Sequence, residues 1–197
     1  MNTIDLPERY ERIKEIDLVR NRKEVIIVNV ISAAIVAVML VFGILAFGTS
    51  RFDDMLRTET FEELNDFIFK CIITVILGMA SIVLHEIIHS IFMKALCKEC
   101  KLKFGFRLFY IYAKSDAYYT KRSYNIIACA PLLIIGILSA IACIVLPHEW
   151  SWVFYIIEVL NVSGAAGDIY VFSIITRMPE DILISDIGTS MSVYGIG

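Results

Sequence analysis

The chain reads as an all-α polytopic membrane protein, with four transmembrane helices and a short cytoplasmic β-hairpin-like loop between the second and third. Three observations predict this class. The 197 residues are 58% hydrophobic with a mean hydropathy of +0.72, well above soluble domains. Four apolar runs each reach the roughly 20 residues that a bilayer core requires. Lys and Arg gather in alternate connections, as the positive-inside rule expects.

Residues 1–24 are polar and charged. Asp5 and Pro7 resemble an N-cap and first-turn proline, and Leu6, Tyr10, Ile13 and Ile16 follow at helical spacing. The expectation is a cytoplasmic amphipathic helix along the membrane surface. A cleaved signal peptide is not expected, because the preceding region is long and mixed in charge.

Val25–Phe47 carries no charge over 23 residues and forms the first span. An acidic connection follows over 48–66, with Asp53, Asp54, Glu59, Glu62, Glu63 and Asp66 against Arg51 and Arg57. The second span runs from Phe67 to about Leu96. Beyond it, Lys103–Leu108 alternates apolar with other residues, which predicts a strand that pairs with the Tyr- and Ser-rich piece after it. Ile126–Leu146 is the third span and contains Pro131; Pro147-His148-Glu149 forms a turn. The fourth span, Trp150 to about Thr176, opens on the interfacial aromatics Trp150 and Trp152. Residues 177–197 form a polar cytoplasmic tail. The membrane domain is therefore 25–176.

Charge sets the orientation. Arg9, Arg12, Lys14, Arg20, Arg22 and Lys23 precede the first span, and seven Lys or Arg lie between spans two and three. The first loop has two and the third none, so both termini face the cytoplasm. The same distribution argues against nucleic acid as a partner, since the lipid bilayer already accounts for these basic loops. Five cysteines, mostly in or beside apolar spans, exclude a secreted disulfide framework. Cys97-x-x-Cys100 has no second pair to complete a metal site and reads as two reduced thiols.

The chemistry lies in the second span, where His85-Glu86-Ile87-Ile88-His89 forms His-Glu-x-x-His, a zinc-binding helix signature. Four residues on a helix give about 40° of rotation and about 6 Å of rise, so both imidazoles leave one face. Glu86 lies roughly 100° away, within reach of a metal-bound water without being a ligand. A catalytic zinc site takes a third protein ligand. His148, Glu99, Asp116, Glu158 and Asp168 are the candidates. Acids inside a span cost about 2.5–3.5 kcal/mol each, so Glu158 and Asp168 should face protein, water or metal. Depth favours Asp168. It lies about 8 residues from the cytoplasmic end of its span, the histidines about 7–11 from theirs, and Glu158 about 15 Å further out. Asn161, seven residues before Asp168, shares its face, and Gly164, Ala165, Ala166 and Gly167 would let helices approach closely.

With His85, Glu86, His89 and Asp168 in place, the chain resembles site-2-protease-type intramembrane zinc metalloproteases. These pair a His-Glu-x-x-His helix with an Asp on a later helix, in an Asn-x-x-Pro…Asp-Gly motif. Here Gly164 replaces the proline, Ile169 follows Asp168, and the Asn-to-Asp spacing is seven. More narrowly, residues 67–180 are similar to a small bacterial membrane family of zincin-type peptidases, with a zinc helix, a basic loop, a proline-containing span (Ala130-Pro131) and a late Gly-Asp (Gly167-Asp168). The resemblance implies Zn²⁺ on His85, His89 and Asp168, Glu86 as the catalytic base, and Asn161 on the substrate. It also implies a membrane-embedded protein substrate cut near the cytoplasmic side. A zinc-binding scaffold without hydrolytic activity, or a small transporter subunit working through Glu158, are the competing classes.

Overall fold

The computed structural model describes residues 2–47, 59–107, 110–188 and 190–197. Most of the acidic first connection lies outside these residues. Three helices are long and apolar enough to cross a membrane: α1 (Arg22–Phe47), α2 (Phe61–Leu96) and α3 (Lys121–Val145). A fourth unit consists of α4 (Ser151–Gly164) and α5 (Ala166–Thr176), bent by 43° where they meet.

Two of the long helices, α2 and α3, start where their sequence supplies a cap. Thr60 accepts from the Glu63 N–H at 3.2 Å while the Glu63 carboxylate accepts from the Thr60 N–H at 3.1 Å, a reciprocal capping box. Thr120 opens α3 in a similar way, its hydroxyl accepting from the Ser123 N–H. α3 then runs through Pro131 without ending. An interior proline costs a helix about 3 kcal/mol, so packing must hold it there; Pro131 is fully buried.

The fourth span is broken rather than continuous. Ala165 has ψ of 8°, outside the helical range, between Gly164 and Gly167, which weaken helix by about 1 kcal/mol each. The ladder survives in part: the Ala165 N–H donates to Asn161 O at 3.0 Å, and Ile169 N–H to Ala165 O at 2.9 Å. Ala165 and Ala166 are buried, but the two glycines do not lie at a close helix contact. A side chain at Gly164 would meet open space, and one at Gly167 would meet Leu18 of the N-terminal segment. The glycines at helix crossings are Gly43 on α1, Gly78 on α2 and Gly136 on α3, which face Tyr155, Leu160 and Glu158 of α4.

One end of the helices carries β structure. The expected hairpin is present as β2 (Leu102–Arg107) and β3 (Tyr110–Ser115), antiparallel with Phe104 opposite Ala113. The expected N-terminal helix is instead a strand, β1 (Tyr10–Asp17), and the tail is a hairpin of β5 (Ile182–Asp186) and β6 (Ser190–Ile196). With β4 (Tyr118–Thr120) they form a four-stranded antiparallel sheet in the order β1-β6-β5-β4. Tertiary pairing overrides the helical spacing of 6–16: Ile16 is wholly buried opposite Met191. Within β5 and β6, Ile184 and Val193 are likewise fully covered. They pack on Met93 of α2, Tyr124 and Ile127 of α3, and Val171 and Ile175 of α5. Asn2 fastens the start of the chain, donating to Leu96 O at 2.8 Å and accepting from Thr120 N–H at 2.9 Å. The sheet thus ties the chain's two ends and the segment after α2 to the same end of the helices. Cys97 and Cys100 are buried, reduced members of this core.

Candidate metal centre

His85 and His89 leave α2 on one face, with ring centroids 4.8 Å apart. Their Nε2 atoms approach to 3.2 Å. Asp168, in the first turn of α5, brings Oδ2 to 3.0 Å from His85 Nε2 and Oδ1 to 3.5 Å from His89 Nε2. The positive end of α5 favours a carboxylate at that position. These three side chains offer one ligand atom each within a span of 4.8 Å, the group among the described residues that could hold a metal ion. Their exposures of 14%, 11% and 25% leave the cluster shielded by protein but open on one side.

The donor chemistry fits a cation. A tetrahedral ion with bonds of about 2.0–2.2 Å sets its donors roughly 3.3–3.5 Å apart; the two imidazole Nε2 atoms are 3.2 Å apart, and each has its own nearest Asp168 oxygen, Oδ2 at 3.0 Å from His85 and Oδ1 at 3.5 Å from His89. His89 Nδ1 lies 3.0 Å from Ile127 O, an acceptor, so Nδ1 is the ring nitrogen that carries a proton. In the neutral ring Nε2 is then the unprotonated nitrogen, facing the Asp168 carboxylate and the second imidazole. Two imidazole nitrogens and a carboxylate converge, a donor set that suits a positive ion.

Glu86 stands one residue along from His85 and turns towards the hairpin. Its Oε2 accepts from the Ala113 N–H at 3.1 Å. That N–H points out of the β2–β3 pair, so β3 presents its open edge to the helix. Beneath the site, the buried Asp186 accepts from Tyr124 Oη at 2.7 Å and from the Gly188 N–H at 2.7 Å.

Other candidate ligands lie elsewhere. Asp116 accepts from the Lys101 N–H at 2.7 Å, and the chain at His148 belongs to a 3-10 turn (His148–Trp150) at the opposite end of α3 from the sheet. Glu158 and Asn161 are joined to each other at 3.3 Å. The Asn161 amide also donates to Leu132 O at 3.3 Å, so its hydrogen bonds run to Glu158 and to α3 rather than to the three donors. The bend at Ala165 is the reason, because it takes Asn161 and Asp168 off a common helical stripe. Ala113, Ile127 and Asp186 are the neighbours that sequence reasoning missed. Two of these contacts use backbone atoms, which no residue type announces.

No curated protein and no solved structure matches the chain. The family model described as "Putative zincin peptidase" matches residues 78–183, just over half of the sequence and including both histidines and Asp168. The chain belongs to that family.

Proposed function

We propose that this protein is a zinc-dependent intramembrane endopeptidase that cuts a membrane-spanning substrate near the cytoplasmic side. The observation that carries the reading is the convergence of His85, His89 and Asp168 from two separate helices beside Glu86. Membership of a zincin family supports peptide hydrolysis as the reaction. The membrane setting is supported by outward-facing apolar side chains such as Val38 (68% exposed) and Leu45 (79%) on α1, which water would penalise. Joining of both termini to one sheet supports an even number of crossings, with the basic sheet end cytoplasmic.

His85, His89 and Asp168 would hold the ion. When bound, zinc supplies Lewis acidity, lowering the pKa of a water and polarising a carbonyl oxygen. Glu86 acts on the protons: its carboxylate takes one from the attacking water and returns it to the leaving amide nitrogen. Both transfers need a free carboxylate oxygen, and Ala113 engages Oε2 only.

A membrane helix hides its carbonyls, so the substrate must unwind before it can react. The edge of β3 that pairs with no strand among the described residues would take the unwound segment by strand addition, the segment displacing Glu86 from the Ala113 N–H and running past it. A cleft of about 770 Å³ among α2, α3 and α5 is walled by Phe92, Ile126, Leu133 and Phe172 and rimmed by Arg122. Its apolar walls suit the part of the substrate that stays helical.

The test uses purified protein in liposomes with a panel of membrane-spanning segments. Wild type should cleave, and Glu86→Gln should lose at least about 100-fold in rate while elemental analysis finds its zinc unchanged. Undiminished cleavage by Glu86→Gln would falsify the proposal. The hold that Ala113 keeps on Glu86 favours one second reading, a zinc-binding scaffold, in which a chelator-sensitive function survives Glu86→Gln.

A further inference from the structure

An α-helical carbonyl accepts from the N–H four residues ahead. Four residues ahead of Ile127 is Pro131, which has no N–H to give. Ile127 is 1% exposed, so water cannot satisfy its carbonyl, and a buried carbonyl without a donor is costly. The donor it finds is His89 Nδ1, at 3.0 Å. Both partners are buried, and Ile88 of α2 packs with Ala130 beside the proline.

We propose that Pro131 is a positioning residue for the metal centre: by withholding an N–H, it frees the Ile127 carbonyl to fix the tautomer and rotation of His89. Metal-bound histidines commonly give their second N–H to a carboxylate or carbonyl, which sets the ring's orientation. In a regular helix every carbonyl is engaged by the helix itself and turned along its axis. A neighbouring helix therefore offers a histidine a backbone acceptor most readily where the ladder is open. Pro131 opens it at the level of His89 and nowhere else along α3, which contains a single proline. The ring carbon chain of the proline is not the active feature; the missing donor is.

This inference rests on the metallopeptidase reading for its purpose, but the hydrogen bond itself needs no metal. Two variants of the full chain separate the causes. Pro131→Ala restores the N–H and removes the ring. Lactic acid in place of Pro131, an ester linkage introduced by nonsense suppression, removes the ring and still has no N–H. Nitrogen-15 NMR of the metal-free protein, at a pH where the ring is neutral, reads the His89 tautomer. The Nδ1–H form should dominate in wild type and in the ester, and should give way in Pro131→Ala to the Nε2–H form that free histidine prefers. Competition with a chelator should show zinc binding about 10-fold weaker in Pro131→Ala and unchanged in the ester. Retention of the Nδ1–H form by Pro131→Ala, or its loss in the ester, would overturn the proposal. Failure of wild type to bind zinc more tightly than His85→Ala would count against the metallopeptidase reading, and the tautomer measurement would still decide the role of Pro131.

Discussion

Ala113 donates its backbone N–H to the carboxylate of Glu86 at 3.1 Å, although 27 residues separate them. The only acid of the His-Glu-x-x-His motif is thus held by the edge of a β-hairpin. In the proposed reaction the same edge receives the substrate, so the base and the substrate's backbone are aligned by one strand.

Removing that donor should separate the two roles. In Ala113→Pro the N–H facing Glu86 is gone, while the pairing of β3 with β2 loses no hydrogen bond, because that N–H points away from β2. Zinc content should stay at the wild-type level. Cleavage in liposomes should fall about 10-fold or more, with KM rising further than kcat falls. A KM equal to that of wild type would remove β3 from substrate binding.

Asp168 supplies the third donor, at 3.0 and 3.5 Å from the two imidazoles. Asp168→Asn keeps its shape and removes its charge. Zinc affinity should drop by about two orders of magnitude or more, read by chelator competition beside His85→Ala. Zinc binding as tight as in wild type would move the third ligand elsewhere.

The buried Asp186 gives a stability prediction. Burial, above all, raises its pKa from the ordinary 3.8, and the hydrogen bonds from Tyr124 and Gly188 act in the opposite direction. A raised carboxyl pKa means that the folded state holds its proton more tightly, so stability from this group is greatest below the unfolded pKa and falls as pH rises through the folded one. Tyr124→Phe removes a donor that favours the charged form. It should destabilise the protein by about 1–3 kcal/mol at pH 7, and by less at pH 4, in detergent melts. An equal loss at both values would show that the carboxylate is not the group affected.

The capping box at the start of α2 titrates in the other direction. Hydrogen bonds from the Thr60 and Glu59 N–H groups lower the pKa of Glu63 from 4.5. A depressed carboxyl contributes stability above its unfolded pKa and loses it as pH falls through the folded value. The first turn of α2 should therefore fray below about pH 4.5, seen as a fall in the protection factor of the Leu64 amide, the exchange rate of an unstructured peptide at the same pH divided by its own. Glu63→Gln can still accept through its amide oxygen, so the protection factor in that variant should not change with pH.

Much of this was legible in local pattern. Uncharged runs located the far ends of α1, α2 and α3 to within one residue and their starts to within six, because an apolar stretch of that length has few other ways to satisfy its backbone. Alternation at 103–108 located the β2–β3 hairpin. The reading failed at both termini. Tyr10, Ile13 and Ile16 fit a helix as readily as a strand, and only β6, some 180 residues away, offers the hydrogen bonds that select the strand. The alternation in Ser190–Ile196, with Met191 and Val193 inward and Gly188 at a φ of 88° before it, was the usable sign of a hairpin in the tail.

The side chains of the candidate metal centre divide along the same line. His85 and His89 are paired by helix geometry alone, since four residues bring two side chains to one face in any helix. Depth along the chain singled out Asp168 for them, but the distance between the two helices has no expression in sequence spacing. The bend at Ala165 and the packing of α5 on α3 and the sheet bring its carboxylate to 3.0 Å from His85. The neighbours of Glu86 and His89 are backbone atoms, which every residue carries. Such atoms become partners only when folding leaves them open and close, as the free edge of β3 and the interrupted ladder at Pro131 do.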